Sequence, residues 1–267
     1  MLPSRPGINV IYSSGGLPEL NSPYLICGFP GSGYVGKMAV DHLIEELHAK
    51  HFADIYSTSF PPQVLIRSDG TADLMKNTIF YSKNGSSTDI SLLLLTGDSQ
   101  PGNPDSEYLL AEEILDIAAK FNTSHVFTLA AYITGVFVEK PRIFGTATDT
   151  GTIKSFGERN ISTMDGGSIT GMNGLIIGSA KLRGVKGTCL LGETSGYVVD
   201  AKASKSLLET LLSIVGVSVD MKNLDKRAKD TEMLIQTIEQ QMAGRMGQPP
   251  QQQGSATNRP SDMGYIS

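Results

Sequence analysis

Two hydrophobic rhythms alternate along the chain. Short, nearly continuous apolar runs at 8–12, 24–27, 55–60, 63–67, 78–81, 90–95, 126–130 and 188–191 are bounded by Gly, Ser, Pro or Asp and predict strands. Between them, apolar positions recur at helical spacing. Val40, Leu43, Ile44 and Leu47 share one face of a helix predicted over 35–48, and Leu109, Ile114, Leu115 and Ile117 mark another over 105–120. Gly171 and Gly174 are expected to bracket a turn that opens into a helical run at 175–180. The broad stripe of Leu207, Leu208, Leu211, Leu212 and Val215 predicts a helix over 202–215 packed on a sheet. Such alternation predicts an α/β sandwich. Gly192-Glu193-Thr194 would then sit at the carboxyl end of a strand, where open α/β sheets bind ligands, or would simply cap and turn the chain.

The rhythm changes after Gly216. Leu224, Ala228, Leu234, Ile235, Ile238 and Met242 lie among Asp, Lys, Glu and Gln, the narrow stripe of a helix that docks on its own domain or on a partner. From Gly244 onward Gly, Pro, Gln and Ser dominate, a composition that buries too little apolar surface to offset ordering entropy. A flexible tail is the expectation. Its tip, Met263, Gly264, Tyr265, Ile266 and Ser267, reads as a short docking peptide or as ordinary scattered apolar surface. The predicted organisation is therefore an α/β domain over 1–219, an amphipathic helix over 220–243 and a Gln- and Pro-rich tail over 244–267.

Composition narrows the function classes. A chain of 267 residues with 40% hydrophobic content can bury a substantial core. A net charge of −5 and an isoelectric point of 5.4 give none of the basic footprint that nucleic-acid binding requires. Cys27 and Cys189 fall in apolar runs and read as buried free thiols of a reducing compartment, although spacing alone leaves a bridge between them open. The first residues form no apolar signal core, and no stretch approaches the ~20 apolar residues of a membrane helix. The expected setting is cytoplasmic.

Candidate chemistry is fragmentary. Gly31-Ser-Gly-Tyr-Val-Gly36-Lys37 follows a strand and precedes a helix, so it satisfies G-x-G-x-x-G and most of the phosphate-loop pattern. Met38 then replaces the hydroxyl that would hold Mg²⁺, and Asp98 lies beyond Thr96 and Gly97 rather than on its strand. A dinucleotide site fails too, because strand 55–60 ends without an acid and Asp54 precedes it. A structural glycine turn is the preferred reading. His42 with Glu45 or Glu46 has helical metal-ligand spacing but falls off the apolar stripe, which favours a solvated face over a zinc site; His48, His51 and His125 add no ligand pattern. No G-x-S-x-G elbow occurs. Glu193 and Asp200 are a conceivable carboxylate pair, and Lys37, Arg142 and Lys181 a conceivable anion site, but capping and hydrogen bonding explain them equally well. No metal, nucleotide or other cofactor is expected.

Several motifs in order carry a resemblance. Gly-x-x-x-Gly-Met-Asn-Gly at 167–174, Leu-Leu-Gly-Glu-Thr at 190–194 and Tyr-Val-Val-Asp-Ala-Lys-Ala-Ser at 197–204 follow Gly-Phe-Pro-Gly-Ser-Gly-Tyr-Val-Gly at 28–36 and Val-Phe-Val-Glu-Lys-Pro-Arg-Ile-Phe-Gly-Thr-Ala-Thr at 136–148. The ordered set resembles the proteasome assembly chaperone family in its archaeal form and covers most of 24–220. The resemblance implies a three-layer α/β/α sandwich similar to nucleoside phosphorylases, no enzymatic activity, self-assembly into a homo-oligomer or a hetero-oligomer with a related chain, and binding to 20S proteasome α subunits. It also implies a partner-binding tail, Met263, Tyr265, Ile266 and Ser267, although Tyr265 stands one place before the penultimate position usual for such tails. The competing expectation is a phosphorylase- or hydrolase-like enzyme acting on a small molecule at the glycine-rich cleft, with Glu193, Asp200, Asn173 and Lys37 converging there.

Overall fold

The computed structural model describes residues 5–83 and 90–246, without the side chains of 234, 236 and 238–246. The chain divides into two compact units, Met1–Glu232 and Met233–Ser267. The first unit begins with β1 (Ile8–Tyr12), β2 (Tyr24–Gly28), α1 (Val35–Glu46), β3 (Lys50–Ser57), β4 (Val64–Ile66), β5 (Ala72–Leu74), β6 (Asn77–Ser82) and β7 (Leu92–Gly97). It continues with α2 (Pro104–Ala119), β8 (His125–Ile133), β9 (Ile143–Ala147), α3 (Thr150–Lys154), β10 (Ile161–Thr163), α4 (Gly171–Leu182), β11 (Lys186–Thr194) and α5 (Ala201–Val215). The last helix, α6 (Lys222–Met246), starts in this unit, and its remainder is the described part of the second.

A nine-stranded sheet runs β1-β3-β6-β7-β2-β8-β11-β9-β10, and β4 with β5 makes a separate hairpin. Its centre, β7-β2-β8-β11, is parallel, and both neighbouring pairings, β6 with β7 and β9 with β11, are antiparallel. Parallel strands covered on both faces are apolar throughout. Accordingly β7 is buried at every residue and β11 at all but its first. On one face Leu110, Ile114 and Ile117 of α2 and Met172, Ile176 and Ala180 of α4 pack against Leu25, Leu93 and Val126. On the other, Val35, Val40 and Leu43 of α1 and Leu207, Leu208 and Leu211 of α5 pack against Ile26, Leu94, Leu129 and Leu190. The fold is thus a three-layer α/β/α sandwich, as the resemblance implied.

Local chemistry sets the helix ends. Asn103 caps α2, accepting from the Ser106 amide at 3.0 Å ahead of Pro104 in the first turn. The apolar run of α5 stops at Gly216, whose φ of +71° closes the helix onto the Leu212 carbonyl.

Several expected boundaries move. The strand predicted over 55–60 is β3, which begins at Lys50, so Asp54 lies inside it rather than before it. A carboxylate is tolerated there because Lys76 (2.8 Å), Thr78 (3.0 Å) and His51 (3.0 Å) satisfy it. Gly171 and Gly174 belong to α4 itself. Gly174 is small because a side chain would strike the Ile169 carbonyl, its Cβ falling 2.0 Å away. His42 is buried, not solvated: its Nε2 lies 2.8 Å from the Asp220 carbonyl, in the chain that returns over α1 after α5.

Candidate functional site

The carboxyl ends of β7, β2, β8 and β11 gather the loops that the sequence singled out. The glycine-rich turn leads from β2 into α1. Gly28 and Gly36 are contact points: a Cβ on Gly28 would fall 2.4 Å from the Gly36 carbonyl, and one on Gly36 1.9 Å from the Leu129 carbonyl. The turn therefore serves the close packing of α1 on the sheet. Lys37, which a phosphate loop would aim at its ligand, instead bonds the Thr96 hydroxyl (3.1 Å) and the Asp41 carboxylate (3.0 Å). Thr96 donates in turn to Asp41 at 2.5 Å, which closes a polar triangle between α1 and β7. The Asp98 carboxylate accepts from the Lys76 amide at 3.1 Å.

Glu193 and Asp200 are committed separately. Buried on β11, Glu193 accepts a two-pronged bond from Arg142 at 2.9 and 2.8 Å and a third from the Arg142 amide at 3.1 Å. These bonds hold its carboxyl below the ordinary range. Asp200 caps α5, accepting from the Ala203 amide at 2.9 Å and from the Thr194 hydroxyl at 2.7 Å. The proposed carboxylate pair is therefore two structural anchors. The proposed cluster of Lys37, Arg142 and Lys181 does not form either, since Lys37 and Arg142 are bound to other acids and Lys181 is exposed in the last turn of α4.

Of the four residues expected to converge, only Asn173 lines the cleft of about 740 Å³ at this edge, beside Gly31, Gln100 and Tyr132. Gln100 ties the surrounding loops together: its Oε1 accepts from the Met172 amide at 2.9 Å and its Nε2 donates to the Pro30 carbonyl at 2.7 Å. Sequence reading missed Gln100 because nothing local marks a side chain that bridges segments 70 residues apart.

Elsewhere, His125 stacks on Phe127 at 4.3 Å, with Tyr24 edge-on, and its Nε2 lies 2.8 Å from the Thr188 hydroxyl. Burial pushes its pKa down to about 4, with Lys186 adding to the effect. Both cysteines are buried and free, and burial raises Cys189 to about 12. Among the described residues no group of His, Cys, Asp or Glu could hold a metal ion, and no helix is long and apolar enough to cross a membrane.

Beside the cleft, the end of β8 and the loops after β8 and β11 expose an apolar cluster. Ile133, Val136, Tyr197 and Val199 are each at least half exposed, and the rings of Phe137 and Tyr197 meet edge-on at 6.4 Å. Isolated apolar residues on a surface are ordinary, but a grouped set of this kind is a candidate contact face. In the sequence Val136, Tyr197 and Val199 fell within the motifs of the family resemblance, and nothing local marked them as exposed. The expected docking residues Met263, Tyr265, Ile266 and Ser267 lie outside the described residues.

An α/β/α sandwich whose open edge offers a contact face and a cleft, with its acids and lysine tied into the scaffold, defines a binding platform. A family model described as the PAC2 family matches residues 25–239, and the chain belongs to that family. The uncharacterized protein MJ1210 of Methanocaldococcus jannaschii is 33% identical over 242 residues, covering 89% of this chain and 92% of that protein. Among solved structures, Pyrococcus furiosus PbaB, described as an archaeal proteasome activator, superposes with a TM-score of 0.80 at 37% identity, covering 87% of this chain and 99% of that one. Pyrococcus furiosus PbaA, described as an archaeal homolog of proteasome-assembly chaperone, gives 0.71 at 26% identity, covering 90% and 94%.

Proposed function

We propose that this protein is a noncatalytic proteasome-binding factor of the cytoplasm that engages 20S α subunits, either during assembly or on the finished particle. Membership of the PAC2 family, together with likeness to a proteasome activator and to an assembly-chaperone homolog, supports the reading. The observation that carries it structurally is the commitment of Glu193, Asp200 and Lys37 to scaffold contacts beside an exposed apolar face. A hydrolase or phosphorylase would need these groups free to reach a substrate.

Within this reading, the loops carrying Ile133, Val136, Tyr197 and Val199 are the face through which copies of the chain, or a related chain, associate. The terminal residues Met263, Tyr265, Ile266 and Ser267 are the segment that docks on the α subunits. Display of several termini on one oligomer raises avidity by roughly 10² to 10⁴ when the spacing matches repeated pockets. The test is co-purification with isolated 20S α subunits, using the full chain and a variant lacking residues 263–267. Capture by the full chain and loss on truncation are expected. Capture by neither overturns the reading, and equal capture by both moves the contact from the tail to the folded platform.

A further inference from the structure

The two edges of the nine-stranded sheet are unlike. At one of them β10 is three residues long, and so short an edge offers little for another chain to pair with. At the other, β1 runs for five residues, Ile8-Asn-Val-Ile-Tyr12, and pairs on one side alone, with β3. It holds no charge, no proline and no bulge, the devices that ordinarily protect an edge.

Ladder geometry identifies the groups left over. In an antiparallel pair, alternate residues turn both N–H and C=O toward the partner strand. The Gly7 carbonyl accepts from the Thr58 amide at 2.9 Å and the Ser13 amide donates to the Phe52 carbonyl at 2.8 Å, so the odd-numbered positions, Asn9 and Ile11 among them, face β3. Val10 and Tyr12 therefore turn their N–H and C=O outward, where no strand of the described residues lies. Their side chains pack on the core with that of Ile8, whereas Asn9 and Ile11 are exposed. Beside the start of β1 opens an apolar groove of about 770 Å³, lined by Ile8, Tyr56, Phe60, Pro61, Leu74 and Met75. Val64, Ile66 and Leu74 of the adjoining β4-β5 hairpin are each at least half exposed.

We propose that β1 pairs antiparallel with β1 of a second copy of this chain. The register that matches all five residues centres on Val10 and sets Ile8 opposite Tyr12 and Asn9 opposite Ile11 across a two-fold axis. Val10 exchanges bonds with Val10, and each Tyr12 amide donates to the other copy's Ile8 carbonyl; the Ile8 amide is already held by the Arg5 carbonyl at 2.9 Å. Absence of charge on the strand is what suits it to itself, because self-pairing sets every side chain against its own kind and places no like charges together. The same register carries the turn after Tyr12, where Leu17 is exposed, toward the groove at the start of the other copy's β1. This contact is separate from the loop cluster around Tyr197 and does not depend on proteasome binding.

The test is the mass of the assembly formed by the full chain alone, read by native mass spectrometry and sedimentation. Asn9→Lys with Ile11→Lys sets lysine opposite lysine in this register. Both residues are exposed, so the thermal midpoint should hold while the mass of the wild-type assembly halves. Asn9→Glu with Ile11→Glu should halve it likewise. Mixing these two variants in equal amounts sets lysine opposite glutamate and should restore the wild-type mass. Val10→Pro removes an outward N–H without breaking the β1-β3 ladder and should also halve the mass. An unchanged mass in any of these variants, or a mixture that stays at half mass, overturns the proposal and leaves the edge to a strand of another protein or to solvent. The measurement contains no proteasome, so its failure is distinct from failure of the proposed function.

Discussion

The two ends of the same parallel strands have opposite characters. At the amino end, Tyr24 on β2, His125 and Phe127 on β8 and Thr188 on β11 interlock, and the imidazole is stacked, hydrogen-bonded and held neutral. At the carboxyl end the strands run into loops that leave Ile133, Val136, Tyr197 and Val199 in solvent and open a cleft beside them. Aromatic and polar groups at the closed end satisfy one another, whereas apolar groups at the open end have no cover among the described residues. A sheet that stabilises at one edge and recognises at the other is the usual division of labour in open α/β folds. Substitutions along one strand should therefore separate stability from binding.

The largest expected effect is structural and lies beneath the open end. Gly36→Val places a Cβ on the Leu129 carbonyl, where the gap is 1.9 Å, and should cost roughly 4 kcal/mol or more. Loss of the cooperative urea transition is the expected result. A stable Gly36→Val protein would show that α1 can lift from the sheet.

Next comes Asp200→Ala, which removes the cap of α5 and strands the buried Thr194 hydroxyl. Its expected cost is about 2–3 kcal/mol, read from the urea midpoint at an unchanged slope.

The closed end supplies a pH test of about 2 kcal/mol after allowance for partial solvent contact. His125 has a folded pKa of about 4, below the ordinary ~6.5, so between those values the unfolded chain binds the proton and the native one does not. Stability is complete above about pH 6.5 and falls as pH drops toward 4. His125→Phe should abolish this component, and the difference between the wild-type and variant pH profiles isolates it from the titrating carboxylates.

The smallest effect on stability belongs to the contact face. Tyr197→Ser with Val136→Ser should change the unfolding free energy by no more than ~0.5 kcal/mol, because both residues already face water. Sedimentation should nevertheless show weaker self-association. Substantial unfolding of this variant would mean that the loops belong to the core and that the contrast between the two ends is false.

The central layers were legible in the sequence because full burial leaves a simple mark. Leu92-Leu93-Leu94-Leu95 in β7 and the Leu207-to-Val215 stripe of α5 are apolar with no competing signal. β9 and β10 carried no comparable mark, since Gly145, Thr146 and Ser162 dilute short strands that are partly exposed. Asp54 hid the start of β3 because its three partners lie on both sides of it in sequence, one of them on β6. His42 was misread because its burial comes from residues near 220, and no helical periodicity in α1 records a chain that returns from elsewhere. The cleft was least legible. Gly31, Gln100, Glu107 and Asn173 are dispersed along the sequence and become neighbours only when β2, β7 and α4 are placed side by side.

The most direct measurement is the affinity of the full chain for purified 20S α subunits, determined by native mass spectrometry and sedimentation on wild type, the Tyr197→Ser/Val136→Ser variant and His125→Phe. The account predicts a complex for wild type and for the closed-end variant, and at least roughly tenfold weaker binding for the open-end variant through loss of avidity. Absence of a wild-type complex, or weakening by His125→Phe alone, would contradict it.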